Sequence, residues 1–411
     1  MNCRFCQHPL QYEFIDLVNA PPSNSFLTKE RLNETEPYFP LRLFVCDNCF
    51  LVQVDEYKKA TEIFDKEYAY FSSVSTTWLS HAKKYTEKMM SEFGISPKSM
   101  VIEIASNDGY LLQYFKEKDV RVLGIEPTNS TAEVAMKKGI DCITEFFGSE
   151  FAKNVIAPKE KADLLLGNNV LAHVPDINDF VEGLNIALKP DGIITMEFPH
   201  LLQLIENNQF DTIYHEHFSY LSFTTVKRIF AEHGLEMFHV EELSTHGGSI
   251  RIFAKHKESD SQPVRDTVAA MIAKEKEFGL TDILFYRGFD KKAAKVKFDF
   301  LEFLIKCRKE GKQIAAYGAA AKGNTMLNFC GIKNDIIEYV VDAAPSKQNK
   351  FMPGSHIPIV QEKMIRETKP DYVVILPWNL RDEISKQLSY ISEWGGQFVV
   401  AIPELKITAA G

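Results

Sequence analysis

The stretch that decides the fold is Met100-Val-Ile-Glu-Ile-Ala-Ser-Asn-Asp-Gly109. Its first five residues are apolar apart from Glu103, which suits a short strand buried on both faces. Ala105 to Gly109 are small or turn-forming, and a helical pattern follows through about Glu117. The alternation continues outward. Val122-Leu-Gly-Ile125 predicts a strand, residues 130–138 a helix, Ala162-Asp-Leu-Leu-Leu166 a strand, residues 177–188 a helix and Gly192-Ile-Ile-Thr-Met-Glu-Phe198 a strand. Upstream, Ser75-Thr76-Thr77 can cap a helix over 75–95, where Trp78, Leu79, Ala82 and Tyr85 recur at helical spacing. Strands alternating with helices imply a doubly wound α/β sheet.

The rest of the chain divides around that unit. The first 65 or so residues are short extended pieces with turn signals such as Pro21-Pro22-Ser23-Asn24. A Lys- and Glu-rich helical stretch spans about 264–310. A second βα alternation follows, with strands at Gln313–Tyr317, Ile337–Val341, Asp371–Leu376 and, last, Phe398–Ile402. The division is 1–68, 69–260 and 261–411, with two doubly wound units in tandem.

Composition bounds the function. The 411 residues carry 47 Lys+Arg against 56 Asp+Glu, a net charge of −9. That balance argues against a broad basic surface for nucleic acid, but not against a small basic pocket. Hydrophobic residues make up 45%, enough for real cores. The N-terminus lacks the apolar core of a signal peptide, and no window approaches the ~20 apolar residues of a spanning helix. A cytoplasmic protein that contacts neither membrane nor nucleic acid is expected. The oligomeric state is left open.

Four of the seven cysteines fall in two C-x2-C pairs, Cys3 with Cys6 and Cys46 with Cys49. Two such knuckles complete a four-thiolate tetrahedral site, which favours zinc over a redox dithiol or free thiols. With every position filled by protein the metal is structural. His8 lies close by but is not required.

The first βα turn speaks to a ligand. A G-x-G-x-x-G fingerprint is absent, which counts against NAD. Ala105, Ser106 and Gly109 allow close backbone approach, while Glu103 suits a cation more than a pyrophosphate. Glu126, before Pro127 at the end of the next strand, suits ribose hydroxyls. An acidic, phosphate-free site with a ribose acceptor points to S-adenosylmethionine. Asn168 and Asn169, after the third core strand, lie where cofactor and substrate would meet.

Seven motifs together resemble the nucleotide-sugar C-methyltransferases, over nearly the whole chain. They are the four-cysteine pattern, Glu-Ile-Ala-Ser-Asn-Asp-Gly (103–109), Gly-Asn-Asn-Val-Leu-Ala-His-Val (167–174), Tyr-His-Glu-His-Phe (214–218), His-Gly-Gly-Ser-Ile-Arg (246–251), Tyr-Gly-Ala-Ala-Ala-Lys (317–322) and Asp-Ala-Ala-Pro-Ser-Lys-Gln-Asn-Lys (342–350). The resemblance implies a zinc-binding module, a class I S-adenosylmethionine-dependent methyltransferase domain and a Rossmann-like C-terminal domain that helps bind a nucleotide sugar. Its cofactor set here is Glu103, Ala105, Ser106, Asn107, Asp108, Gly109, Glu126, Pro127, Phe147, Asn168 and Asn169. The family loop usually has Gly where this chain has Ala105, which narrows the approach.

The implied reaction is methylation of the carbon beside the ketone of a nucleotide-linked 4-keto deoxysugar. A base must remove a proton to give an enolate, and histidine titrates in the right range. The resemblance places that base at His217, with Glu216 beside it to orient the imidazole. Tyr214, His173 and Tyr68 match positions for orientation or enolate stabilisation, His173 being the second candidate base. His215 is a poor candidate, since similar proteins also carry an acidic residue there. Catalytic metal at the His-Glu-His run is disfavoured, because the H-E-x-x-H helical spacing is missing. O- or N-methylation of a similar sugar is the alternative, and a binding scaffold a more remote one. In the second βα unit Lys322 and Lys347 are diphosphate candidates. The turn before Lys322 is not a Walker loop, and NAD there is a minor reading.

Overall fold

The computed structural model describes residues 1–57 and 71–410. Strand β4 (Met100–Ile104) forms as expected. Val101 and Ile102 have no solvent exposure, so both faces are covered. It is the central strand of a seven-stranded sheet with β5 (Arg121–Ile125), β6 (Cys142–Ile143), β7 (Ala162–Asn168), β8 (Leu188–Pro199), β10 (Leu235–Leu243) and β11 (Ser249–His256), in the order β10-β11-β8-β7-β4-β5-β6. Strands β4 to β8 are parallel, and β11 runs antiparallel between β8 and β10. The β10–β11 pair lies beyond the predicted strands. Its residues mix charge with apolar side chains and give no continuous apolar run.

The helix after β4 starts at Leu112 rather than at Gly109. Ala105, Asn107 and Gly109 all have positive φ, so the chain makes a compact loop first. The helix Thr76–Phe93 begins where predicted, with Ser75 Oγ accepting from the Trp78 amide. Cross-strand register aligns Asn168 with Glu197 on β8, and Glu197 with Arg251 on β11.

The N-terminal sheet is antiparallel: β1 (Tyr12–Ala20), β2 (Phe39–Val45), β3 (Val52–Val54) and then β9 (Ser219–Tyr220). Its fourth strand therefore comes from the segment between β8 and β10 of the seven-stranded unit. Each cysteine pair ends in a left-handed residue, Gln7 (φ 58°) and Phe50 (φ 61°). Each knuckle repeats the same bonds: Gln7 N to Cys3 O and Cys3 N to His8 O, Phe50 N to Cys46 O and Cys46 N to Leu51 O.

The third sheet runs β14 (Ile359–Val360), β13 (Val340–Val341), β12 (Ile314–Tyr317), β15 (Tyr372–Ile375), β16 (Gln397–Val400) and β17 (Lys406–Ala409). It is parallel except for β17, an added strand beyond the predicted last one. The charged stretch is two helices, Asp266–Phe278 and Phe289–Lys309, broken at Gly279 and Gly288. Phe289 stacks on Phe14 of β1 at 4.8 Å. One apolar cluster joins Phe14 and Leu43 to Phe300 and Leu327, so the first and last segments share a core. No helix among the described residues is long and apolar enough to cross a membrane.

Candidate active site and metal centre

The four cysteine sulfurs lie within 4.8 Å of one another. Cys3 and Cys49 are 3.5 Å apart, as are Cys6 and Cys46. Tetrahedral zinc–thiolate bonds of ~2.3 Å require sulfurs about 3.8 Å apart, so the set fits zinc. Gln53 Nε2 donates to Cys3 Sγ at 3.3 Å, a partner outside the ligand set. His8 pairs with Asp47 at 3.1 Å instead of joining the cluster. Arg4, inside the first knuckle, donates to the carbonyls of Pro175 and Val54 and lies over the Phe218 ring. The metal module thus touches the chain on both sides of the His-Glu-His segment.

The loop after β4 gathers acidic groups at the carboxyl end of the sheet, where open α/β folds bind ligands. Glu103 is fully buried, and neither carboxylate oxygen has a well-aligned hydrogen-bond donor among the described residues. Burial raises its pKa well above the usual range, the nearby Tyr110 hydroxyl opposes this, and Glu126 and Asp108 add to the rise. Glu126 accepts the Asn107 amide on one oxygen and the Thr128 amide on the other, both at 2.9 Å. Asp108 bonds Ser73 and lies 3.7 Å from Lys138. Asn107 Oδ1 accepts the Ser72 amide at 2.9 Å. Ser106 is fully buried, and a Cβ on Gly124 would meet its Oγ at 2.4 Å. Gly109 is equally constrained, since its Cβ would lie 2.4 Å from Ile140. Pro127 continues this wall, half-buried after Glu126. Phe147 lies in an aromatic cluster with Phe151 and Phe180. Glu103 and Glu126, buried without a basic counterpart among the described residues, fit a cationic, phosphate-free cofactor.

Asn168 and Asn169 follow at the end of β7. Asn168 Nδ2 approaches the Tyr110 hydroxyl at 3.4 Å. Asn169, at φ 56°, donates to His246 Nε2 at 3.0 Å. Behind them Glu197, fully buried, accepts from Arg251 at 2.7 Å, meets His81 at 2.8 Å and accepts from Thr245 at 2.9 Å. Burial alone would raise its pKa. His81 and Arg251 outweigh that and hold it at about 2. Sequence reading missed Glu197, His81 and Thr245. A lone acid in the apolar strand Gly192–Phe198 was the available signal.

The His-Glu-His segment converges on one point. His217 Nε2 lies 2.9 Å from the Tyr214 hydroxyl, and its Nδ1 lies 3.2 Å from the Thr212 carbonyl. The carbonyl can only accept, so Nδ1 carries the proton and Nε2 the lone pair. His173 stands edge-on to His217 with ring centroids 4.6 Å apart, and its Nδ1 donates to the Glu216 carbonyl at 2.8 Å. Burial depresses both imidazoles, His173 to about 4 and His217 well below its ordinary value. The expected orienting role of the Glu216 carboxylate is not what the structure has. Both its oxygens accept from Asn24 Nδ2, at 2.8 and 2.9 Å, and the Thr212 carbonyl takes the Nδ1 position. Asn24, inside a predicted loop, was not anticipated. His215 packs on Phe39 and reaches the Pro40 carbonyl at 3.1 Å, apart from this centre. Tyr68 and the expected boundary at 68 lie outside the described residues.

Lys322 is half-buried, 4.7 Å above the Trp378 ring and 2.7 Å from Asn379 Oδ1. Burial lowers its pKa, and Asp211 opposes that. Its positive charge lowers the pKa of both His217 and His246, so it lies within electrostatic reach of both rings. Lys347 differs. It bonds the Ala319 carbonyl at 2.9 Å and lies 3.7 Å from Asp342. Asp342 also takes the amides of Ala319 and Ala344, so the acid that would read a ribose is spent on the turn.

Counted by order of appearance, the central sheet runs 3-2-1-4-5-7-6 with its seventh strand antiparallel. With the acidic small-residue loop at its carboxyl end, that defines a class I methyltransferase. Models of a methyltransferase domain, a C-methyltransferase C-terminal domain and a zinc binding domain match residues 78–240, 244–403 and 3–64. Over 408 residues the chain is 33% identical to the C-methyltransferase NovU of Streptomyces niveus, covering 99% of this chain and 97% of that enzyme. The chain belongs to this C-methyltransferase family. The ubiquinone biosynthesis O-methyltransferase of Bartonella tribocorum is 23% identical over 156 residues, 33% of this chain and 63% of that one. A solved structure, magnesium protoporphyrin IX methyltransferase from Synechocystis PCC 6803 with bound SAM, matches 44% of this chain and 81% of its own at 12% identity, with a TM-score of 0.34.

Proposed function

We propose that this chain is an S-adenosylmethionine-dependent enzyme that methylates the carbon beside the ketone of a nucleotide-linked 4-keto deoxysugar in the cytoplasm. The observation that carries this is the buried, neutral His217, whose Nε2 lone pair is aimed at the Tyr214 hydroxyl. A bound keto sugar would compete for that lone pair. His217 takes the proton from the carbon at Nε2 while Nδ1 keeps its bond to the Thr212 carbonyl. Tyr214, released from Nε2, donates to the developing enolate oxygen. His173, neutral and edge-on to His217, lines the same face, and Tyr68 is assigned to substrate orientation. S-adenosylmethionine supplies the electrophilic methyl group. The loop Ala105–Gly109 with Glu103, Glu126, Pro127, Asn168 and Asn169 holds it, Phe147 standing further out. Lys322, and less directly Lys347, neutralise the diphosphate. Residues 1–68 bind zinc and brace the catalytic segment, 69–260 hold the cofactor and 261–411 hold the nucleotide.

The test is incubation with a panel of nucleotide-linked keto sugars and S-adenosylmethionine, with mass spectrometry and NMR of the products. A new carbon–methyl bond beside the ketone is expected. Without the cofactor, the same protein should exchange that carbon's hydrogen for deuterium. Methylation only at oxygen or nitrogen would sink the reading.

A further inference from the structure

We propose that His246 contacts the substrate, donating its Nδ1 hydrogen to an oxygen of the bound sugar. This rests on the function proposed above. Residues 246–248 have φ of 54°, 90° and 117°. Glycine adopts such angles freely, and Gly247 and Gly248 supply two of the three. His246 does not, and a bulky side chain held in this region marks a constrained site.

What holds it is visible. Asn169 Nδ2 approaches His246 Nε2 at 3.0 Å. An amide nitrogen can only donate, so Nε2 accepts and the neutral ring carries its proton on Nδ1. Nδ1 has no hydrogen-bond partner among the described residues. Burial keeps the ring neutral by lowering its pKa to about 4. Trp78 packs edge-on against it with centroids 5.0 Å apart, and Trp78 is stacked in turn on His81. The Glu197 carboxylate joins these supports. One oxygen accepts from Thr245, the residue before His246, and the other meets His81 and Arg251. A single buried acid therefore fixes both the turn that carries His246 and the helix that carries Trp78.

Its location gives the ligand class. His246 bonds Asn169 at the cofactor end of β7. The next residue, Gly247, touches the C-terminal lobe, where a Cβ would lie 2.3 Å from the Trp378 ring. Lys322 lies over that same ring. His246 thus stands between the wall of the cofactor loop and the lysine assigned to the diphosphate. A sugar spanning that gap presents hydroxyl and carbonyl oxygens to it.

The experiment measures kcat and KM of His246→Ala and His246→Gln with a nucleotide keto sugar that the wild type methylates, and S-adenosylmethionine affinity by calorimetry. Losing one neutral hydrogen bond predicts a KM about tenfold higher for His246→Ala, with cofactor affinity unchanged. His246→Gln, whose amide can donate, recovers part of the loss and carries the test if the alanine variant does not fold. Thr245→Val, a positioning change, should raise the sugar KM less. Unchanged kcat and KM in His246→Ala would overturn the inference. So would cofactor affinity falling as far as sugar affinity, which would make His246 part of the wall. If the wild type accepts no nucleotide keto sugar, the functional reading falls before any variant is made, and this inference with it.

Discussion

The Tyr214 hydroxyl lies 2.9 Å from His217 Nε2. The two residues are three apart in sequence, and the Thr212 carbonyl fixes the other ring nitrogen. The pair is therefore set by one short segment and needs no distant carboxylate to choose the tautomer. His217→Asn should lower kcat by about 10³-fold or more, and Tyr214→Phe by about 10- to 100-fold. Cofactor binding should persist in both. Deuterium exchange beside the ketone separates the roles, since only His217→Asn should abolish it.

The acid side of the pH–rate profile should be displaced. A base must be neutral to act, and burial holds His217 well below its ordinary 6.5. As pH falls through 6.5 the ring stays neutral, so kcat/KM should hold there and decline only at lower pH. A profile of kcat/KM from pH 4 to 9 reads this directly. An inflection at 6.5 assigned to His217 would contradict the burial described.

The Glu216 carboxylate is tied to Asn24 rather than to the imidazole. Asn24→Ala leaves a buried carboxylate short of two bonds, a cost of about 1–3 kcal/mol. The double-mutant cycle of Asn24→Ala with Glu216→Gln should show strong coupling, read as non-additive changes in thermal stability and kcat. Additive effects would mean the contact is incidental.

The four-cysteine centre should be required for folding. Cys46→Ser should reduce zinc content from about one ion per chain to almost none, by atomic absorption. Loss of a structural metal commonly costs about 4 kcal/mol or more, so the melting temperature should fall sharply.

Ala105 sits at φ 55°, a left-handed angle. Relieving its side chain would return about 1–2 kcal/mol, offset by about 0.4–1 kcal/mol of extra unfolded-chain entropy for glycine. Ala105→Gly should thus raise the melting temperature slightly, and cofactor affinity should stay level or improve, as calorimetry would show.

Much of this was legible in the sequence because it is local. The run Met100–Ile104 with its small-residue turn, and the cysteine pairs, are short-range patterns whose geometry follows from spacing alone. The lysines, asparagines and histidines of the site were found as motifs, but their partners from distant segments were not. Asn24 meets Glu216, and His81 meets Glu197, through sheet register and packing that link distant segments. The β10–β11 pair escaped because its charged residues, Glu241 and Arg251 among them, interrupt the alternation while serving buried ion pairs. The two-residue β9 is too short for any periodic signal.

That short strand has a consequence for synthesis. Val52 pairs with Tyr220, so the N-terminal sheet is completed by residues made long after it. Both cysteine knuckles leave the ribosome early and can capture their ion, while the edge of β3 stays open. The nascent chain therefore carries a metal-stapled but unfinished sheet until the segment bearing His217 emerges and closes it, so the same stretch that ends the wait for a partner strand also delivers the proposed base.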